Sequence, residues 1–288
     1  MKQGKVVKLT GGLYTVLTEE NTRVNLKARG VFRHQNRSPK VGDTVTYDDD
    51  FIMDIAERQN DLHRPPVSNV DQAILINAAK EPQFSFYLLD RFLVLIESES
   101  IKPIIIVSKM DLLNDNQTDE LKSNMAYYAQ FYQVYYVSVN DPQSLELIKP
   151  MFKGKISVFA GQTGAGKSSL LNALDIRLNI KTGTISKALG RGKHTTRHSE
   201  LIEVHGGLVA DTPGFSKLDF KAIDLENLPM YFVDLFALSH RCKFRGCTHT
   251  NEPSCGIKKA VDAGEVLPSR YAHYVMIYDE IKIQNQTY

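Results

Sequence analysis

The stretch that decides the fold is Gly161-Gln162-Thr163-Gly164-Ala165-Gly166-Lys167-Ser168, which follows an apolar run from Ile156 to Ala160. It matches the P-loop pattern, and a helical pattern follows it as that motif requires. In such a loop the glycine N–H groups surround a phosphate, Lys167 contacts the β- and γ-phosphates, and the Ser168 hydroxyl binds Mg²⁺. Residues 161–168, together with Ser169, therefore form a predicted nucleotide phosphate site.

Around this P-loop the chain alternates apolar strands with helical stretches. Strands are predicted at 72–76, 103–107, 134–137 and 155–160, and helices at 84–97, 118–131 and 167–174. This alternation is typical of a mostly parallel sheet with helices on both faces. We therefore expect an α/β nucleotide-binding domain over residues 65–220.

The two ends of the chain have different patterns. Residues 1–64 contain short strands separated by turn residues, which predicts a small OB-like β-barrel of the kind that binds RNA, although an SH3-like barrel has the same spacing. Paired prolines then indicate a linker at 63–68. Residues 221–288 are predicted as a helical zinc-binding domain with a closing helix near 269–283. The apolar stripe of that helix belongs to the core and consists of Tyr271, Tyr274, Val275, Tyr278 and Ile281.

The motif Ser108-Lys109-Met110-Asp111 follows the predicted strand at 103–107 and indicates the base. The carboxylate of Asp111 can accept hydrogen bonds from N1–H and the exocyclic amine of guanine, whereas adenine would leave it unpaired. We expect Lys109 to lie over the base and a loop N–H at Ser138 to meet the guanine oxygen. Residues 108–111 and Ser138 therefore predict a preference for GTP over ATP.

A further nucleotide element, Asp211-Thr212-Pro213-Gly214, follows a predicted hairpin. Asp211 at the end of a buried strand can hold a water of Mg²⁺, and the N–H of Gly214 can contact the γ-phosphate. The usual GTPase order places the P-loop before the base motif, but here residues 108–111 come first. Because loops at strand ends assemble such a site in space, the permuted order leaves it intact.

The three cysteines lie close together in the pattern Cys242-x4-Cys247-x-His249-x5-Cys255. Three thiolates and one imidazole can close a tetrahedral Zn²⁺ shell with no open position, which is the arrangement of structural zinc. The metal, one per chain, would stabilise a segment that is too small to fold on its own core. A disulfide with one spare thiol is the alternative, which a cytosolic setting disfavours.

The composition excludes several classes of protein. With 42% hydrophobic and 24% charged residues, the chain has the composition of a globular protein. Its apolar runs are far shorter than a membrane span, and its start lacks a secretory signal. We therefore expect a cytoplasmic protein without a membrane partner, and nothing in the sequence demands more than a monomer.

Basic residues are concentrated in three segments. They outnumber acidic residues nine to three in 1–47, five to none in 181–199 and five to one in 241–259. A single basic segment is common on any solvated surface. Three together indicate a polyanionic partner that is contacted through its phosphates.

These features together resemble the RsgA (YjeQ/YloQ) family of circularly permuted GTPases that assemble the small ribosomal subunit. The resemblance spans the whole chain and includes, as the threonine switch, Gly190-Arg191-Gly192-Lys193-His194-Thr195-Thr196. It implies that the substrate is GTP, the activator is the small ribosomal subunit with its rRNA, and the role is late maturation. Ser108 stands where the family usually has asparagine, and Val139 where it commonly has alanine.

Hydrolysis needs a group that orients the attacking water. Many GTPases carry a glutamine after the D-x-x-G motif, but this chain has Phe215, so we expect slow intrinsic turnover. Our hypothesis is that the ribosome places His194 to position that water; a contact from His194 to phosphate or RNA is the alternative. One of Thr195 and Thr196 is expected to complete the Mg²⁺ shell. Together with Lys167, these three residues are the predicted catalytic set.

Two other functions remain open from the residues alone. A constitutive RNA-binding scaffold would carry a vestigial nucleotide site, so phosphate release stimulated by ribosomes separates it from a GTPase. An ATP-using P-loop kinase would prefer adenine, which Asp111 argues against. Competition between GDP and ADP tests that alternative.

Overall fold

The computed structural model describes residues 1–34, 37–63, 65–178, 200–210, 215 and 218–286. Its N-terminal part is a closed five-stranded barrel in the order β1-β2-β3-β5-β4. The strands are β1 (Lys2–Thr10), β2 (Leu13–Thr18), β3 (Arg23–Ala28), β4 (Thr44–Tyr47) and β5 (Phe51–Ile55), and a short helix α1 (Val31–His34) lies between β3 and β4. The predicted barrel is confirmed.

The sequence pattern predicts barrel strands at 5–9, 14–17, 23–26 and 44–47, but it does not predict the fifth strand, β5. It pairs antiparallel with β4 and parallel with β3, and so closes the barrel. The turn before it is built by Asp48, whose carboxylate accepts hydrogen bonds from the N–H groups of Asp50 and Phe51. An aspartate turn of this kind carries no glycine signal, so the strand that follows it is easily missed.

The segment predicted as a linker, residues 63–68, ends packed against the barrel. Val67 forms a parallel bridge with Val41, and both Val67 and Ser68 are fully buried. The Ser68 hydroxyl donates a hydrogen bond to the buried carboxylate of Asp43. This end of the segment is therefore fixed to the barrel and does not act as a free linker.

The middle part is a six-stranded sheet in the order β10-β11-β9-β6-β7-β8. Its strands are β6 (Gln72–Ala78), β7 (Lys102–Ser108), β8 (Gln133–Tyr136), β9 (Ile156–Ala160), β10 (Leu201–Val204) and β11 (Gly207–Ala210). All neighbouring strands are parallel except for the β10–β11 hairpin. This confirms the predicted mostly parallel sheet.

Helices cover both faces of this sheet. They are α2 (Phe86–Ser98), α3 (Asp115–Met125), α4 (Pro142–Ile148) and α5 (Lys167–Leu174). Strand β6 is buried along its whole length: Leu75 belongs to the core beneath α2, whereas Ile74 and Ile76 belong to the core beneath α4 and α5. Burial on both faces explains why this strand reads as a continuous apolar run.

Local capping explains where the helices begin. The Ser85 hydroxyl accepts a hydrogen bond from the Leu88 N–H at the start of α2. Asn114 and Gln117 form a reciprocal capping box at the start of α3. Asp141 caps α4, whose first residue is a proline. Each cap satisfies N–H groups that have no acceptor within the helix.

The C-terminal part is helical, as predicted, with α6 (Val233–Leu238), α7 (Gly256–Asp262) and the long closing helix α8 (Pro268–Gln286). Tyr274 and Ile281 of the predicted stripe are fully buried, and α8 packs against α2 of the middle part. Among the residues described, no helix is both long enough and apolar enough to cross a membrane.

Candidate functional site

The predicted nucleotide motifs meet at one edge of the sheet. Strands β7, β8 and β9 are parallel, so their carboxyl ends lie along the same edge, where ligands of α/β folds bind. The loops that leave them carry Ser108–Asp111, Ser138 and the P-loop respectively. The Ser108 hydroxyl donates a 2.6 Å hydrogen bond to the Ala165 carbonyl, which joins the base motif directly to the P-loop.

The backbone of the P-loop depends on its glycines. Gly161, Gly164 and Gly166 have φ angles of 120°, 83° and 92°, which side chains of L-residues rarely adopt. A Cβ on Gly161 would lie 2.0 Å from the carbonyl oxygen of Ile76 in β6. Gly166 is the cap of α5, so the first N–H groups of that helix face the loop. The result is a cradle of backbone donors that fits a phosphate.

Lys167 is turned into this cradle. Its ammonium donates hydrogen bonds of 2.7 Å to the carbonyls of Gly161 and Gln162. No carboxylate in the described part of the chain lies within ion-pair distance of it, and burial lowers the pKa of Lys167 to about 8. A bound phosphate would stabilise the charged ammonium, so the site is complementary to an anion.

The other predicted residues of the loop differ in exposure. Ala165 is buried and Ser168 and Ser169, in the first turn of α5, are half-buried, whereas Gln162, Thr163 and Gly164 are exposed.

Two side chains hold the carboxylate of Asp111. The Ser138 hydroxyl donates to Oδ1 at 2.7 Å, and the Asn140 amide donates to Oδ2 at 3.0 Å. The hydrogen bond from Ser138, assisted by that from Asn140, holds the pKa of Asp111 below its ordinary value. Asp111 remains exposed, and each carboxylate oxygen can accept more than one hydrogen bond. The carboxylate is therefore ionised, oriented and still open to a ligand.

Backbone and side-chain contacts also fix the position of the base motif, residues 108–111. Lys109 has a left-handed backbone with φ of 58°, and its ammonium donates to the carbonyl of Glu81. The Met110 N–H donates to the Val137 carbonyl at 3.4 Å, which ties the base motif to the end of β8. The loops after β7 and β8 are thus fixed to each other before any ligand binds.

Sequence reasoning missed Asn140. It lies in a polar turn between β8 and α4 and belongs to no motif. Its only sequence signal is its place two residues after Ser138, at the carboxyl end of a strand. Many polar turn residues share that feature, so the signal was too weak to single it out.

Several predicted residues lie outside the described residues: His194, Thr195, Thr196, Asp211 and Gly214. Their predicted roles therefore stay predictions. The residues that adjoin these segments are described. Glu200 forms a 2.6 Å ion pair with Lys8 of the barrel, and the side chain of Phe215 is buried.

The four predicted metal ligands converge in the C-terminal part. The donor atoms of Cys242, Cys247, His249 and Cys255 all lie within 4.8 Å of one another. The sulfurs of Cys242 and Cys255 are 3.9 Å apart, and Nδ1 of His249 is 3.5 Å from each. A tetrahedral Zn²⁺ with ordinary bond lengths gives sulfur–sulfur edges of about 3.8 Å and sulfur–nitrogen edges of about 3.5 Å. The donor set fits such an ion.

The protonation tendencies of this metal cluster agree with that fit. Burial raises the pKa of the Cys247 thiol to about 12, and burial lowers the pKa of His249. A neutral imidazole is the form that binds metals, and a divalent cation stabilises thiolates that burial alone would keep protonated. The three cysteines are free thiols rather than disulfide partners.

Neighbouring groups orient the metal cluster. The Gly256 N–H donates to the Cys242 sulfur at 3.2 Å. From α8, the Tyr271 and Tyr274 hydroxyls donate to the carbonyls of His249 and Thr248. Two tyrosines of the predicted core stripe therefore also fix the loop that carries the ligands, as outer groups do in many metal sites.

Comparisons with known proteins agree along the whole chain. The family model described as RsgA GTPase matches residues 55–221, and that of the RsgA N-terminal domain matches residues 3–51. The small ribosomal subunit biogenesis GTPase RsgA of Bacillus subtilis is 48% identical, and RsgA 2 of Oceanobacillus iheyensis is 47% identical. Both alignments cover all of this chain and all of the relative.

Solved structures show the same likeness. The crystal structure of YloQ, a circularly permuted GTPase, superposes with a TM-score of 0.86 at 44% identity, covering 99% of this chain and 96% of that one. YjeQ from Thermotoga maritima superposes with a TM-score of 0.86 at 36% identity, covering 97% of this chain and 98% of the other.

Proposed function

The chain belongs to the RsgA family and is a GTPase, and from this premise we propose that it acts in late maturation of the small ribosomal subunit. In this proposal it binds the subunit and its rRNA, and the subunit stimulates its turnover of GTP. The observation that carries the proposal is the contact of base motif and P-loop, where Ser108 joins Ala165. Full-length relatives named small ribosomal subunit biogenesis GTPases support the choice of partner.

Guanine selection is assigned to Asp111. Its ionised carboxylate offers two acceptor oxygens to N1–H and the exocyclic amine of guanine. Adenine presents an acceptor at N1 and lacks that amine, so its binding would leave the carboxylate unpaired at a cost in affinity. Lys109 would lie along the base, and the loop at Ser138 would contact the guanine oxygen.

The phosphates are assigned to the P-loop, residues 161–168, with Ser169. Backbone N–H groups and Lys167 would neutralise the β- and γ-phosphates. Ser168 and Asp211 would hold Mg²⁺, which neutralises charge on the phosphate oxygens when it is bound. Gly214 is assigned to the γ-phosphate.

Hydrolysis transfers the γ-phosphoryl group to water. A bond forms between the water oxygen and phosphorus, the bond to the β–γ bridging oxygen breaks, and GDP leaves with that electron pair. The buried hydrocarbon ring of Phe215 cannot orient water, so unassisted turnover is slow. We assign this task to His194 on the ribosome, with Thr195 or Thr196 at Mg²⁺; a contact of His194 with phosphate or RNA is the alternative.

Zn²⁺ is the proposed metal of the C-terminal cluster, one ion per chain. Four protein donors leave no position for substrate, so its role is structural. Metal analysis after dialysis should find about one zinc per chain. A preparation that is folded and free of metal would contradict this assignment.

The parts at either end are the proposed contacts with the subunit. The proposed division is a barrel over 1–64, a GTPase domain over 65–220 and a zinc-binding helical domain over 221–288. Within these parts, residues 1–47 carry nine basic against three acidic residues and residues 241–259 carry five against one, which suits rRNA phosphates. We place the protein in the cytoplasm, as a monomer.

The experiment that tests this function is GTP turnover with and without purified small subunits. We expect stimulation of about 100-fold, at the lower end of what a positioned acid–base group contributes. Large subunits serve as the control and should stimulate little. Absence of stimulation in a protein that binds GDP would remove the proposed function.

Two further measurements address the alternatives. Retention of full subunit-stimulated turnover in His194→Ala would remove the assigned role of that residue. Bound RNA with no phosphate release would favour the constitutive scaffold, and displacement of GDP by equal amounts of ADP would favour the kinase.

A further inference from the structure

The loop between two metal ligands carries an exposed aromatic ring. Residues 243–246 connect Cys242 to Cys247 and read Lys243-Phe244-Arg245-Gly246. The side chain of Phe244 is 45% exposed, and the ammonium of Lys243 lies 5.6 Å from the centre of its ring. We call this segment the metal loop. The exposed ring of Phe244 is not part of the hydrophobic core.

The metal loop borders a cleft with a volume of about 740 Å³. Two further large apolar side chains line the same cleft: Met230, which is 50% exposed, and Phe236, which is 47% exposed. Single exposed apolar residues are common on protein surfaces, but three that converge on one cleft mark a binding surface.

The charge of this surface is not compensated. In the described part of the chain, neither Lys243 nor Arg245 forms an ion pair, whereas nearby Arg241 pairs with Glu265 through two contacts of 2.8 Å. Glu226 is the carboxylate that lines the cleft, and it contacts neither cation. The Phe244 ring is therefore flanked in sequence by two cations that form no ion pair with a described residue, and one of them, Lys243, lies near the ring.

The metal loop is also held in place. Its flanking residues Cys242 and Cys247 belong to the metal cluster, and Gly246 takes a left-handed turn with φ of 69°. A loop that is already ordered loses little entropy when a ligand binds.

We propose that the metal loop binds an unpaired RNA base, which stacks on the ring of Phe244 while Lys243 and Arg245 neutralise the adjacent phosphates. The inference deepens the proposed function, because the small ribosomal subunit would supply the RNA. Every base has a flat face that stacks on an aromatic ring, and cations beside the ring suit a sugar-phosphate backbone. A protein partner fits less well, since an apolar interface would have to desolvate both cations beside the ring.

Tryptophan fluorescence gives a direct test, because the chain contains no tryptophan. Phe244→Trp places a single reporter on the metal loop of the full-length, zinc-loaded protein. A ten-nucleotide oligoadenylate should quench its emission, and the same strand in a duplex should not. Phe131→Trp, at a ring that is 41% exposed in the middle part, is the matched control and should keep its emission.

Affinity and salt dependence separate stacking from charge. Phe244→Ala and Phe244→Leu should each weaken binding of the oligoadenylate about tenfold, in line with the loss of one stacked base. The slope of log affinity against log salt should stay unchanged in both. Lys243→Gln should reduce the slope by about 0.7, the value for one phosphate contact on a single strand. The control Lys102→Gln, at an exposed position of β7 outside the three basic segments, should leave the slope unchanged.

Other outcomes would overturn the inference. Unchanged binding and unchanged emission in the Phe244 variants would remove the stacking site. A blue shift of the Phe244→Trp emission with RNA-free ribosomal proteins, but no quenching with RNA, would identify a protein-docking surface instead. If either occurs while small subunits still stimulate GTP turnover, the inference fails and the proposed function stands. If small subunits do not stimulate turnover of the unmodified protein, the proposed function itself fails.

Discussion

Polar groups where α8 packs against α2 are enclosed by protein, whereas those at the carboxyl edge of the sheet are left open. Arg270 of α8 is 1% exposed and donates to Asp90 at 2.6 Å and to Asp234 at 2.9 and 3.1 Å. The remaining donors to these two carboxylates are Tyr127, Tyr128 and His273. Every carboxylate oxygen in this Arg270 cluster has a protein donor.

The carboxylate of Asp111 differs from those of Asp90 and Asp234 because it is not enclosed by protein. It is exposed, and each oxygen has only one side-chain donor. For Asp234, burial alone would raise the pKa, but the charge of Arg270 holds the pKa below its ordinary value. For Asp111, which is exposed to solvent, the hydrogen bond from Ser138 holds the pKa below its ordinary value. A carboxylate thus serves structure where the protein fills its acceptor positions and serves a ligand where it leaves some free.

The enclosed metal cluster should show the largest effect. Structural zinc contributes roughly 10–16 kcal/mol of apparent binding free energy in small domains. A high-affinity chelator should therefore unfold the segment 242–255 and expose its amides, which hydrogen exchange would detect at Cys247 and Gly256. Zn²⁺ should restore protection and Mg²⁺ should not. Unchanged exchange after complete metal removal would show that the segment is held by packing alone.

We expect the second-largest effect from a substitution in the Arg270 cluster. Arg270→Met leaves two buried carboxylates without their cation, which should lower the free energy of unfolding by about 3–5 kcal/mol. Chemical denaturation followed by circular dichroism measures this. The matched control is Arg241→Met, which removes an exposed pair with Glu265 and should cost less than about 1 kcal/mol. Equal costs for the two variants would contradict the distinction between enclosed and open carboxylates.

Local sequence predicted the parts of the molecule in which neighbouring residues act together. Helix α5 begins and ends where the sequence predicts, at Lys167 and Leu174, because the P-loop glycine fixes its first turn. The metal cluster was also predictable, since its four ligands lie within 14 residues. In both cases the chemistry and the spacing come from one short segment.

The Arg270 cluster was not predictable in this way. Arg270 and Asp90 are separated by 180 positions, and neither belongs to a motif. Only the packing of α8 against α2 brings them together. The role of Asn140 could not be predicted for a related reason, because its partner Asp111 lies 29 positions away in another loop. Pairings between distant loops depend on the tertiary fold and leave no periodic pattern in the sequence.

Asp111→Asn should affect ligand binding and leave stability nearly unchanged. Loss of hydrogen bonds to a charged acceptor costs about 1.5–3 kcal/mol each, so the affinity for GDP should fall roughly 100-fold or more. Xanthine carries a carbonyl in place of the guanine amine, so the asparagine amide should shift preference toward XDP. Isothermal titration with GDP and XDP measures both changes. The control Asp119→Asn, at an exposed position on α3, should bind GDP normally.

Removal of the Asn140 donor should have the smallest effect. Asn140→Ala deletes a hydrogen bond that orients the Asp111 carboxylate but does not contact the ligand. Only a fraction of the energy of that bond should reach the affinity, so GDP should bind roughly two- to tenfold more weakly at neutral pH. Its pH dependence is more diagnostic. Binding requires the ionised carboxylate, whose pKa the two donors hold below its ordinary value, so affinity is lost as the pH falls through that lowered pKa.

The acid limb of the GDP binding curve should therefore move to higher pH in Asn140→Ala. It should move further in Ser138→Ala, because the hydrogen bond from Ser138 is the larger cause of the lowered pKa. Titrations from about pH 2.5 to 6, a range that spans the ordinary aspartate pKa of about 3.9, would detect the shift, with Asn116→Ala on the exposed face of α3 as the control. A weaker affinity without any shift of the acid limb would mean that Asn140 shapes the loop but does not act on the Asp111 carboxylate.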